Sequence, residues 1–200
     1  EFEVWVEQEF AKYGVELGSF FDEEGQYSGE NEFGLEIKHD MKLAKTGNIY
    51  IEYQERLRNN LPWTNSGILK EDNTKYWIIG NSAEYYIFLK QDLYRLYWQL
   101  TESPISLPGC RFVRELENGT SKGFIINREK AKEISFASSI SEFISKINTK
   151  YYANGYYVHG RRDCLYIANK PEDALCVFDS LEEALRAGYK KCTQDSCFKK

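Results

Sequence analysis

Glu36 and Lys38 stand two residues apart, and in an extended chain such side chains share one face while Ile37 between them points to the other. A carboxylate and an ammonium at one spot are two of the groups that phosphodiester hydrolysis requires. The carboxylate holds a cation that neutralises charge building on the phosphate, and the ammonium orients water or offsets that charge. Glu30 lies a short way upstream, and Asn31–Gly34 can turn the chain so that its carboxylate approaches the same face. Glu30 and Glu36 together make a hard oxygen pair suited to Mg²⁺ or Mn²⁺. Glu52 is a further candidate, either as an additional carboxylate supporting the metal or as a partner for Lys38. The spacing is common, however: Asp40-Met41-Lys42 repeats it, and alone it also fits a solvated strand face with a cross-strand ion pair.

Such a site needs strands to present it. Leu35 and Ile37 alternate with Glu36, Lys38 and Asp40, which predicts a half-buried strand. After a Thr46-Gly47-Asn48 turn, Ile49, Ile51 and Tyr53 alternate with Tyr50, Glu52 and Gln54, and the two strands are expected to pair as neighbours. Upstream, Phe2, Trp5, Val6, Phe10 and Tyr13 recur at helical spacing, followed by a glycine-rich loop through Gly29. Downstream, strands are expected at Tyr76–Ile79 and Tyr85–Phe88, then a helix over Lys90–Leu100. Asn118-Gly119 marks a hairpin between Phe112–Leu116 and Gly123–Ile126, and Ile140, Phe143, Ile144 and Ile147 mark another helix. The class is therefore α/β (α+β), a mixed central sheet flanked by helices. After Lys150 the texture changes to a tyrosine-rich hairpin around Asn154-Gly155, short runs at Cys164–Ile167 and Ala174–Phe178, and a helix from Leu181 capped by Ser180. This divides the chain into a core, 1–150, and a small β-rich appendage, 151–200.

In order, Gly29-Glu30, Gly34-Leu35-Glu36-Ile37-Lys38 and Thr46-Gly47-Asn48-Ile49-Tyr50-Ile51-Glu52 resemble the acidic residue, hairpin and (D/E)xK signature of the PD-(D/E)XK nuclease superfamily. Restriction enzymes and Holliday-junction resolvases belong to it, as do phage and bacterial relatives carrying GE, GxEIK and TGNxxIE in this order. The resemblance extends through Ser66-Gly67-Ile68 and Asp72-Asn73-Thr74 to about Leu100, half of the chain. It implies a restriction-endonuclease-like core and metal-dependent hydrolysis of DNA. It also implies that Glu30 and Glu36 hold one Mg²⁺, together with the Ile37 carbonyl, while Lys38 acts on water. Glu30 stands where the superfamily usually has Asp, and no Pro precedes it.

The whole-chain balance sets limits on partners. A net charge of −5 counts against a large nucleic-acid footprint, though it leaves room for a short basic groove beside an acidic metal site. It favours, as a rival from another class, a non-catalytic binding module that keeps the fold and recognises a protein or nucleic acid through its aromatic C-terminal region. A mobile-element protein acting with another subunit or as a homo-oligomer is the third reading. An apolar fraction of 42% and aromatic fraction of 16% predict a folded chain. No run reaches the roughly 20 apolar residues of a membrane helix, no basic-then-apolar leader is read, and a cytoplasmic location is expected. The five cysteines contain no CxxC pair and read as reduced thiols. Cys192 and Cys197 lack an evident second pair of zinc ligands, and neither His39 nor His159 falls into a zinc or triad pattern. Strand parity directs His39 away from Glu36 and Lys38. Glu7, Glu9 and Asp22 read as solvated rivals for the first carboxylate, and Lys42, Lys45, Arg161 and Arg162 as basic groups able to meet phosphates.

Overall fold

Burial of Phe2, Val6 and Phe10, four residues apart, gives the first helix, α1 (Phe2–Ala11), one apolar face. A computed structural model describes residues 1–17, 34–102, 106–113 and 119–198. It divides into two compact units, Glu1–Ile140 and Ser141–Lys200. The boundary thus falls at the start of a helix rather than near Lys150. In the first unit α1 is followed by β1 (Leu35–His39), α2 (Leu43–Thr46), β2 (Asn48–Glu55), β3 (Thr64–Asn65), β4 (Tyr76–Asn81), β5 (Glu84–Leu89), α3 (Lys90–Glu102), β6 (Cys110–Val113), β7 (Ser121–Asn127) and α4 (Arg128–Ile134). Helix α5 (Ile140–Ile147) begins at the boundary, and the second unit continues with β8 (Tyr151–Asn154), β9 (Tyr157–His159), β10 (Cys176–Phe178), α6 (Leu181–Arg186) and β11 (Lys190–Lys191). Mixed α and β structure of this kind is the expected class. Among the described residues no helix is long and apolar enough to cross a membrane.

One expectation about the strands fails. β1 does not pair with β2: it runs parallel to β4, with Glu36 opposite Trp77 and Lys38 opposite Ile79, and β4 pairs antiparallel with β5. β2 belongs to a second, four-stranded antiparallel sheet in the order β3-β2-β7-β6. The cause lies between the two strands. Asp40 Oδ1 accepts from the backbone N–H groups of Lys42 and Leu43, Leu43 is buried, and Gly47 ends α2 in the left-handed region at φ 66°. A full helical turn therefore replaces the tight hairpin that adjacent antiparallel strands need, and it sends β2 to the other sheet.

The two sheets and α3 share one core. Ile49, Ile51, Phe124 and Ile126 contribute from the second sheet, Trp77, Ile79, Tyr86 and Phe88 from the first, and Leu93 and Leu96 from α3. At about 1.5–3 kcal/mol for each large apolar side chain buried, this cluster is the main stabiliser of the first unit. The other face of the first sheet carries buried Ile78 and Ile87, and α1 packs on β1, where Phe2 meets His39 at 5.7 Å between ring centroids. Helix α4 gives almost no periodic signal, because Ala131 is its buried residue and Ile134 its one other apolar side chain; Asn127 caps it by accepting from Lys130 N–H.

The second unit is thinner. Its sheet runs β10-β8-β9-β11, with the Asn154-Gly155 hairpin joining β8 to β9 and β11 parallel to β9. Ser180 caps α6 as expected. Cys164–Ile167 forms turns rather than a strand, since Leu165 and Tyr166 are exposed while Cys164 and Ile167 are buried. Among the described residues its apolar packing includes two small clusters, one of Ala153, Val158 and Ala184 and one built on Cys164, Ile167, Leu175, Cys192 and Cys197, besides Phe143 and Ile144 buried on α5.

Candidate functional site

Strand parity holds at β1. Lys38 Nζ lies 2.8 Å from Glu36 Oε1, with side-chain exposures of 37% and 16%, and it also stands 5.1 Å from the centre of the Trp77 indole. The register with Trp77 and Ile79 places both groups on the face that the shared core occupies, at the outer strand of this sheet among the described residues. The pair therefore rises from the rim of an apolar floor. Partial removal from water strengthens its mutual attraction, and the electron-rich ring face holds the ammonium in place. Trp77 Nε1 is buried and has no hydrogen-bond partner among the described residues, so an N–H donor remains unused in the residue that floors the pair. His39 stands exposed on the opposite face, against α1.

The other candidates separate. Glu52 lies on β2 in the other sheet, where its carboxylate accepts from Ser66 Oγ at 2.7 Å and Ser121 Oγ at 2.5 Å; Tyr50 OH in turn meets Ser121 Oγ at 2.8 Å. Burial raises the Tyr50 phenol above its ordinary value, and the Glu52 charge adds to that. Glu52 thus ties β2 to β7 and to the turn at Ser66, and the partner Lys38 takes is Glu36. Glu30 and Asp22 lie outside the described residues. Asp40-Met41-Lys42, the second match to the spacing, is a capping turn. Lys42, at the N-cap of α2, and Lys45, within it, are exposed, and Glu9 of α1 pairs with Lys12 at that helix's C-cap. Arg161 pairs with Asp163, while Arg162 donates to the carbonyls of Ile167 and Lys170 and so closes a loop.

Among the described residues, the group of three or more potential metal ligands close enough to share an ion is in the second unit. His159, Cys164, Cys192 and Cys197 are all buried, and their ligand atoms lie within 4.8 Å of one another. His159 Nδ1 is 3.2 Å from Cys164 Sγ and 3.8 Å from Cys197 Sγ, and Cys164 Sγ is 4.0 Å from Cys192 Sγ. The expectation that Cys192 and Cys197 lack a second pair is corrected: His159 and Cys164 supply it. The signal was present in the sequence as two pairs of equal separation, 159/164 and 192/197, but the separation is wider than CxxC. Against family models, curated proteins and solved structures alike, the chain has no match.

Proposed function

We propose that the first unit is a metal-dependent nuclease of the PD-(D/E)XK type, built on a restriction-endonuclease-like core and acting on DNA. The observation that carries this reading is the Glu36–Lys38 pair, two residues apart on an outer strand with their heads 2.8 Å apart over Trp77. Glu36 offers hard oxygen donors on a half-buried rim, which suits Mg²⁺, and Glu30 is the residue assigned to complete the set. The ion, when bound, neutralises charge on the scissile phosphate. Lys38 exchanges its contact with Glu36 for the attacking water and the phosphate, and the Trp77 ring keeps its ammonium from swinging away. The exposed Lys42 and Lys45 extend positive charge towards the flanking backbone.

The test is cleavage of linear, branched and single-stranded DNA by the purified chain with and without Mg²⁺, combined with calorimetric Mg²⁺ binding. Glu36→Gln should lose metal affinity and turnover together. Lys38→Ala should still bind metal while turnover falls by about 10²-fold or more, the scale for one preorganised charged group. His39→Ala should keep most activity. Cleavage that survives both site substitutions, or a wild-type chain that neither cuts DNA nor binds Mg²⁺, would overturn the reading and leave the non-catalytic module in its place.

A further inference from the structure

The second unit holds a different and chemically softer set of donors, independent of the Glu36–Lys38 site. His159 ends β9, Cys164 lies in the turn after it, Cys192 follows β11, and Cys197 lies in the final 3-10 turn, Asp195–Phe198. Each is at most 8% exposed. Three thiolates at about 2.3 Å and an imidazole nitrogen at about 2.0–2.1 Å around one tetrahedral ion sit about 3.6–3.8 Å from one another. The separations of 3.2, 3.8 and 4.0 Å bracket those edges and all four ligand atoms lie within 4.8 Å of one another, so closing on an ion requires shifts of no more than about 1 Å. The geometry points to a structural Zn²⁺ site formed by His159 Nδ1 and the sulfurs of Cys164, Cys192 and Cys197.

Several observations agree with that assignment and exclude its competitors. A backbone N–H group is aimed at sulfur: Gln194 N donates to Cys192 Sγ at 3.5 Å. Such a donor stabilises a thiolate and orients it for a metal. Gly160 has to be glycine, because a Cβ there would lie 2.7 Å from the Cys197 carbonyl oxygen and push the last ligand away. Disulfide formation does not account for the cluster, since three sulfurs cannot pair off and an imidazole completes the group. A nucleophilic Cys164–His159 pair is disfavoured, because Cys164 is buried and donates to Gln194 Oε1 at 3.3 Å. Soft sulfur donors discriminate against Mg²⁺ and Ca²⁺. With four protein ligands no position is left for substrate, so the role is to tie four chain segments into a unit whose apolar clusters are small.

The experiment uses the full chain purified under reducing conditions. Elemental analysis should find one zinc per chain, released when a mercurial reagent titrates the thiols. Replacement by Co²⁺ should give the visible bands of a tetrahedral ion with thiolate-to-metal charge transfer. Cys192→Ser should abolish stoichiometric zinc, whereas Cys176→Ser, at an exposed cysteine outside the cluster, should retain it. Glu36→Gln should also retain it. If Cys192→Ser does not fold, the cobalt spectrum of the wild-type chain decides. Absence of both stoichiometric zinc and a tetrahedral thiolate spectrum overturns the assignment. So does undiminished zinc in Cys192→Ser, or one equivalent of iron that zinc does not displace.

Discussion

The two units place their reactive side chains in opposite ways. In the first, Glu36 and Lys38 come from a single strand, half-exposed, above a core that includes Trp77, Phe88 and Phe124 and would persist without them. In the second, four buried donors come from separate segments, and three of them are themselves the core residues of one cluster. A site laid on a finished scaffold can lose a side chain and keep its fold. Where the ligands replace the core, losing the ion means losing the structure.

Metal removal is the sharpest way to break this comparison, and carries the largest expected effect. Structural zinc contributes on the order of 10 kcal/mol in small metal-organised units. Stripping it with a chelator under reducing conditions should abolish amide hydrogen-exchange protection in β8 and β9 and leave that of β4 and β5 unchanged. Retained protection at Ala153 and Val158 after complete zinc removal would show that the apolar clusters suffice and that the contrast between the units is false.

The next effect belongs to the first unit. Lys90 Nζ, at the start of α3, donates to Asp72 Oδ1 at 2.5 Å and to the Lys70 carbonyl at 2.7 Å, and both side chains of the ion pair are largely buried. Burial raises the Asp72 carboxyl, but hydrogen bonds from Lys90 and Thr74 outweigh it and hold the group below its usual range. A depressed carboxylate contributes stability above its unfolded value and loses it as pH falls through the folded one. Lys90→Met should therefore cost about 3 kcal/mol at neutral pH by stranding a buried charge, and the difference from wild type should shrink on acidification. Urea midpoints across pH 3–7, read from a probe in the first unit, check this. A difference independent of pH would sink the argument.

Much of this was legible in the sequence because local rules decided it. Alternation located β1 and β2, Asn154-Gly155 located a hairpin, and parity alone put Glu36 with Lys38 and turned His39 away. Pairing was less legible. β1 finds β4 across many intervening residues, and the turn that prevents a β1–β2 hairpin depends on Asp40 bonding its own backbone, which no hydrophobic pattern reveals. The Cys/His cluster was hidden for a related reason: its pairs are brought together by β9 and β11 lying side by side, so only tertiary structure shows that they face one another. Glu52 was legible only as a polar residue on β2, because its hydroxyl partners Ser66 and Ser121 come from other segments of the chain.

The smallest effect separates a supporting carboxylate from a reactive one inside the first unit. Glu52→Ala leaves the Ser66 and Ser121 hydroxyls without their acceptor, and should cost about 1–3 kcal/mol, the penalty for stranding partly buried polar groups. Glu36→Gln breaks only a partly exposed ion pair and should cost no more than about 1 kcal/mol, the range for such pairs. Turnover should run the other way. Glu36→Gln removes the metal-holding charge and should abolish Mg²⁺-dependent cleavage in a chain that melts almost as wild type, whereas Glu52→Ala should cut DNA in proportion to its folded fraction. Thermal melts and single-turnover cleavage on the same preparations read both quantities. If Glu52→Ala abolishes cleavage while fully folded, Glu52 belongs to the reactive group after all; if Glu36→Gln is the less stable of the two, the ion pair over Trp77 is holding the sheet rather than serving chemistry.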